Sequence, residues 1–134
     1  MKKIFLGVVL LLAGCGGGGG DTAVVASHVP TISGLSYSPQ TFAQGSGTAT
    51  ANLSFNFYDA GADINQVTIT IQDATTSAVL TSTHTPVTTG TAGGILHVTV
   101  QGSTATAGNY LFNVHVNDAQ GNYSMPLTGS FSVI

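Results

Sequence analysis

Five stretches of this chain alternate apolar and polar side chains with a period of two, and that pattern all but dictates a β fold. Ala51, Leu53, Phe55 and Phe57 alternate with Asn52, Ser54 and Asn56. Val67, Ile69 and Ile71 alternate with Gln66, Thr68 and Thr70, and Leu96, Val98 and Val100 with His97, Thr99 and Gln101. Tyr110, Phe112, Val114 and Val116 form the fourth apolar series; Leu127, Gly129, Phe131 and Val133 form the fifth. Successive side chains of a strand point to opposite faces, so each stretch reads as a strand with one face buried and one wet. Weaker strands fit near 32–38 and 78–84, making about seven, separated by turns rich in Gly, Asp and Asn. One-sided burial is the mark of antiparallel sheets. Two of them packed face to face give a single all-β sandwich over residues 31–134, with a closed barrel as the alternative that the pattern leaves open.

The beginning of the chain reads as an address. Lys2 and Lys3 precede an apolar run, Ile4 to Ala13, interrupted only by Gly7. The run is shorter than the ~20 apolar residues of a membrane span and has the length of a secretory signal peptide's apolar region. It ends Leu12-Ala13-Gly14-Cys15, which resembles the lipobox of bacterial lipoproteins. The resemblance implies a helical signal peptide over residues 1–14, removed to leave Cys15 as a lipidated N-terminus. Two or three acyl chains anchor a protein stably to a membrane without spanning it. Gly16 follows the cysteine where an Asp would signal retention, so enterobacteria-like sorting points to the outer membrane of the cell envelope. Residues 15–30, with five consecutive glycines from Gly16 to Gly20, read as the lipidated Cys and a flexible linker. The glycines do not make a phosphate-binding loop, which needs a Lys-Ser/Thr pair between a strand and a helix.

Charge narrows the function classes. Charged residues are 5% of the chain, with five Asp, two Lys and no Arg. Removal of the signal peptide would take both Lys, leaving no positive side chain. A nucleic-acid partner needs a basic face to neutralise phosphates and is excluded. A single Cys excludes an intrachain disulfide framework.

Several local motifs resemble bacterial Ig-like domains of surface lipoproteins and adhesins. They are Ser38-Pro39, the turn Asp59-Ala-Gly-Ala-Asp63-Ile64, the segment Gly108-Asn109-Tyr110, and Asp118-Ala-Gln-Gly121-Asn122. The resemblance covers residues 31–134. It implies a tyrosine corner, with the Tyr110 hydroxyl bonded to backbone upstream. It also places the strand near 78–84 beside the one holding Leu96 to Val100. The chain departs from antibody-type domains in having no Trp and no Cys pair, so Phe55, Phe57, Phe112 and Phe131 must fill the core.

No catalytic residue is expected. A triad needs nucleophile, base and orienter within hydrogen-bond reach. Here His97 and His115 should face outward from opposite sheets, and the domain's Asp residues fall in turns. No G-x-S-x-G elbow or H-x-x-x-H spacing is present. The acidic turns are the sharper feature. An Ig-type topology brings 59–63 and 118–122 to the same end, gathering Asp59, Asp63, Asp118 and Asn122. Their oxygens could hold calcium, which takes six to eight oxygen ligands. Equally, each turn could be an Asx turn in which the Asp bonds its own backbone two residues on. Tyr58 and Tyr123 flank these turns, so a calcium-dependent glycan-binding end is one alternative. Asn113, His115, Thr68, Thr70, Thr128, Ser130 and Ser132 should form a flat neutral patch on one sheet. No Lys guards the sheet edges, expected at the strands near 32–38 or 78–84 on one sheet and at those of Val67 to Ile71 or Leu127 to Val133 on the other, so self-association into a structural assembly is another alternative. The leading expectation is a non-enzymatic binding or spacer module with a protein or glycan partner, held at a membrane surface.

Overall fold

The computed structural model describes residues 28–134. The signal peptide, Cys15 and the glycine run lie outside the described residues. Eight strands follow: β1 (Thr31–Ser38), β2 (Thr41–Phe42), β3 (Thr48–Tyr58), β4 (Ile64–Asp73), β5 (Val79–Pro86), β6 (Gly93–Ser103), β7 (Gly108–Asp118) and β8 (Leu127–Val133). They form two sheets, β1-β3-β6 and β2-β8-β7-β4-β5. Among the described residues no helix is long and apolar enough to cross a membrane. The described residues form an all-β, Ig-like sandwich of two open sheets, not a closed barrel. The extra strand is the two-residue β2, which runs parallel to β8.

The register aligns the apolar series across each sheet. Leu53 stands opposite Val98, Ile69 opposite Val114, and Tyr110 opposite Phe131. The inward set forms one core in which Phe112, Val67, Val114 and Val116 are fully buried and Phe55 is 1% exposed. Phe57 and Phe131 join it. The four phenylalanines do replace the missing Trp and disulfide. Tyr37 meets Phe112 edge-on at 4.9 Å and Phe131 stacks on Tyr110 at 5.2 Å, geometries that aromatic quadrupoles favour. Among the described residues every strand and every core residue lies within 31–133.

The expected tyrosine corner is present. Tyr110 is buried, and its Oη donates to the carbonyl of Thr106 at 2.7 Å. The bond ties the turn before β7 to the strand it feeds.

Strand 79–86 corrects the expected topology. It pairs with β4, Thr68 opposite His84, and so belongs to the five-stranded sheet. It was expected beside the strand of Leu96 to Val100. The turn 74–78 explains the difference: Asp73 N donates to Ala78 O and Ser77 N to Asp73 O, folding the chain back on itself as a hairpin. A tight hairpin returns a strand to its own neighbour. The free edges are therefore β1 and β6 on one sheet and β2 and β5 on the other.

The two poles of the sandwich differ. Thr31 lies opposite Tyr58, Tyr58 opposite Gly93, and Ile64 opposite Asp118. One pole thus gathers residues 28–30 with the turns 59–63, 87–92 and 119–126. The opposite pole holds 39–47, 74–78, 104–107 and the last residue, where Gln44 N donates to Ile134 O.

Candidate functional site

At the N-terminal pole the two acidic turns meet. Single ligand atoms of Asp59, Asp63 and Asp118 all lie within 4.8 Å of one another. Asp59 follows β3, Asp63 precedes β4 and Asp118 ends β7, so the strand ends themselves aim the three carboxyls together. Asp59 and Asp118 are buried, at 0% and 2% exposure.

Both turns are also Asx turns. Asp59 Oδ1 accepts the N–H of Gly61 at 3.1 Å, and Oδ2 accepts that of Asp63 at 2.9 Å. Asp118 Oδ1 accepts from Gln120 N at 2.9 Å and Asn122 N at 2.8 Å, while Oδ2 accepts Asn122 Nδ2 at 2.7 Å. The two turns are joined to each other: Ala119 N donates to Asp63 O at 3.0 Å, and Gln120 Nε2 donates to Asp63 Oδ2 at 3.3 Å. Desolvation alone would raise the Asp118 carboxyl. The hydrogen bonds from Asn122, Gln120 and Gly121 outweigh it and hold the group below its ordinary value. Asn122 thus serves Asp118 as a donor, a role the sequence did not distinguish from that of an oxygen ligand. Oδ1 of Asp63 is buried with no hydrogen-bond partner. The cluster is compact enough to hold a metal ion, with oxygen donors suited to a hard cation.

The two flanking tyrosines do not form one platform. Tyr58 is on β3 of the three-stranded sheet. Tyr123 bridges to Asn117 and meets the His115 ring at 5.6 Å on the outer face of the five-stranded sheet. They stand on opposite sides of the same pole, 59% and 62% exposed.

The polar patch on the five-stranded sheet is larger than the sequence suggested, because β5 adds to it. His84, Thr68 and His115 lie in one row across β5, β4 and β7. The Thr68 hydroxyl is 3.0 Å from His84 Nδ1 and is buried beneath its neighbours. Burial, then the nearby His84, pushes the His115 imidazole below its ordinary value. In the next row the Thr70 hydroxyl is 3.2 Å from that of Ser82, and Thr128 donates to Asn113 Oδ1 at 2.7 Å. Ser132 donates to Asn109 Oδ1 at 2.8 Å. These bonds fix the face as a neutral, hydrogen-bonded surface. His97 is on β6, in the other sheet.

No family model matches the chain, and no curated protein matches it. Solved structures superpose on it only distantly. The C-terminal domain of Wzt superposes with a TM-score of 0.49 at 13% identity, over 81% of this chain and 75% of that one. A CARDB domain from Pyrococcus furiosus, in complex with di-metal ions, gives 0.43 at 12% identity over 80% of this chain and 89% of that one. The Pseudomonas fluorescens alkylpurine DNA glycosylase AlkC, bound to DNA containing an abasic site analog, gives 0.47 at 15% identity over 79% of this chain. This chain spans only 30% of the glycosylase's length. None of these distant likenesses assigns this chain a family, a ligand or an activity.

Proposed function

We propose that this chain is a non-enzymatic lipoprotein of the cell envelope, an Ig-like module that binds or spaces at a membrane surface through an acylated Cys15. The observation that supports display is the polarity of the sandwich. The described chain begins at one pole and ends, at Ile134, at the other, with strands of up to 11 residues between. That is roughly 35 Å of rigid β structure. A tether at residue 30 would hold one pole near the bilayer and present the other outward. Outer-membrane sorting, from Gly16, belongs to the same reading. The test is metabolic labelling with a fatty-acid analogue: wild type takes up label, and Cys15→Ala accumulates unlabelled precursor. Label retained by Cys15→Ala overturns the anchor.

Calcium at Asp59, Asp63 and Asp118, with Asn122 nearby, is the finer reading of the acidic pole. It is supported by the buried, unpartnered Oδ1 of Asp63, an oxygen that a cation would satisfy. A melt of the domain in calcium and in chelator tests it, because a ligand held only by the native state raises the midpoint.

Self-association is a second reading, favoured by the edge strand β6. Its 11 residues, Gly93–Ser103, include no charged residue and no Pro.

A further inference from the structure

Large apolar side chains are exposed unevenly over the described surface. Eight are exposed, and five of them, Val29, Tyr58, Ile95, Tyr123 and Met125, lie at the N-terminal pole. Tyr58 is the last residue of β3, and Ile95 is two residues into β6 on the same outer face, opposite Asn56. Val29 is two residues before β1 and Met125 two before β8. Tyr123 is bridged to Asn117, one residue from the end of β7. The five therefore rim one end of the sandwich on both of its sides. Single exposed apolar residues are ordinary on a protein surface, but a set gathered at one end marks a contact.

The end they surround is neutral in its outer layer. Ala60, Gly61, Ala92, Ala119 and Gly121 form its exposed turns. Two of its three charges are turned inward: Asp59 and Asp118 are buried and already hydrogen-bonded to backbone N–H groups, while Asp63 is half-buried with its Oδ2 held by Gln120. No Lys or Arg occurs between residues 28 and 134. A bilayer surface could therefore approach this end without stripping water from an exposed basic group or from these two carboxylates, with the half-buried Asp63 carboxylate kept at the hydrated headgroup level.

We propose that this pole rests on the surface of a phospholipid bilayer, with Val29, Tyr58 and Tyr123 at headgroup depth around its tip and Ile95 and Met125, set further back along the strands, at the rim of the contact. The proposal rests on the anchored reading above, which supplies the occupant. Residues 16–28 span at most about 45 Å between Cys15 and Val29 when fully extended, and about 20 Å root-mean-square as a Gly-rich coil. A bilayer holding Cys15 is thus within reach of this end. Tethering turns a contact too weak to hold a free protein into an intramolecular one at millimolar effective concentration. Tyrosine suits the site because its ring is apolar and its hydroxyl stays hydrated. With no basic residue at the pole, the contact is apolar and does not depend on anionic lipid.

The chain contains no Trp, so single-Trp variants report one position each. Residues 15–134, carrying Tyr58→Trp, Tyr123→Trp or, at the opposite pole, Leu80→Trp, are coupled through Cys15, the only cysteine, to a maleimide phospholipid. The vesicles are phosphatidylcholine, with and without bromines on the acyl chains. This coupling makes the result independent of whether cells acylate Cys15, which the labelling experiment reads separately. The expected result is bromine quenching and a blue shift for the Tyr58→Trp and Tyr123→Trp chains, unchanged by high salt, and neither for the Leu80→Trp chain. Adding Met125→Ser to the Tyr123→Trp chain should weaken its quenching at least twofold, with an unchanged melting midpoint showing that the fold is kept. Equal emission from all three variants in brominated and plain vesicles overturns the proposal. So does quenching that is strongest in the Leu80→Trp chain.

Discussion

The hydroxyl of Tyr37, on β1 of one sheet, accepts the backbone N–H of Ser130, on β8 of the other, at 3.0 Å. The bond is one of three that close the outer edge of β8. Ser132 N donates to Gln40 O and Ile134 N to Phe42 O, both at 2.9 Å. The chain between β1 and β2 crosses from one sheet to the other and, in crossing, caps every second N–H of the strand it passes. Tyr37→Phe should keep the fold and lower the urea midpoint at constant slope, by about 1 kcal/mol, the net value of one such bond. An unchanged midpoint would show that water replaces the hydroxyl without loss.

Beneath that bond, Gly129 has no room for a side chain. A Cβ there would overlap Phe112 Cζ and lie 2.9 Å from Tyr37 Cε1. Both rings are packed and neither can give way cheaply. Gly129→Ala should therefore destabilise by about 1–3 kcal/mol through overpacking, seen as a lower thermal midpoint. A neutral result would mean that the two rings move aside together.

Tyr110→Phe removes the bond to the Thr106 carbonyl and should lower the urea midpoint by about 1 kcal/mol while preserving the slope. The corner was legible from Gly108-Asn109-Tyr110 because its chemistry is local in sequence, and so was the core, because a period of two assigns faces without any knowledge of partners. What the alternation leaves open is which strand pairs with which. Val79 to Pro86 is exposed almost throughout and carries no alternation of its own, so its sequence fits beside β4 or β6 alike, and only the hairpin at 74–78 chooses. The acidic pole was legible as a meeting of two turns. The division of labour inside it was not, because whether Asn122 offers its oxygen or its amide depends on where Asp118 points.

The Asx bonds alter what Asp59→Asn with Asp118→Asn should do. Each carboxylate accepts backbone N–H groups, so neutralising the pair costs stability even without metal. At Asp118 an introduced amide nitrogen would face the Asn122 Nδ2 donor that Oδ2 now accepts, and one amide must turn. A loss of about 1–3 kcal/mol per site is expected in chelator. If calcium binds, wild type melts higher in calcium and the double variant does not. Identical wild-type melts in calcium and chelator remove the metal and leave the turns as purely structural.

His115 should make stability depend on pH near neutrality. Its imidazole sits below the ordinary value of 6.5 because of burial and then the facing His84. In the unfolded chain it regains that value. The unfolded state then binds more protons in the interval between the two, and stability rises with pH through it. The contribution is complete above the ordinary value and is lost as pH falls through it toward the folded one. Tyr123 and Thr68 also face the ring. Urea melts at about pH 7.5 and pH 5.5 should show a lower midpoint at the acid end, and His115→Gln should shrink the difference. A wild-type midpoint that rises on acidification contradicts the assignment.

The closed edge of β8 and the open edge of β6 should respond differently to the same charge. A Lys on an edge strand opposes pairing with a second copy. On β8 the outward N–H groups of Ser130, Ser132 and Ile134 are already taken within the molecule, so Ser130→Lys should leave any association unchanged. That corrects the sequence-based expectation that the strand ending at Val133 is an edge open to pairing. On β6, Thr99 is exposed on the outer face at the middle of a free edge, and Thr99→Lys should reduce association at least severalfold. The domain's own charge gives little protection. Residues 28–134 hold Asp59, Asp63, Asp73 and Asp118, two of them buried, and screening acts over ~8 Å at physiological salt. Light scattering of residues 28–134 over a concentration series decides it. Growth in mass that Thr99→Lys suppresses and Ser130→Lys does not supports pairing through β6. A wild type that stays monomeric throughout removes the assembly-subunit reading and leaves a tethered module that meets its partner singly.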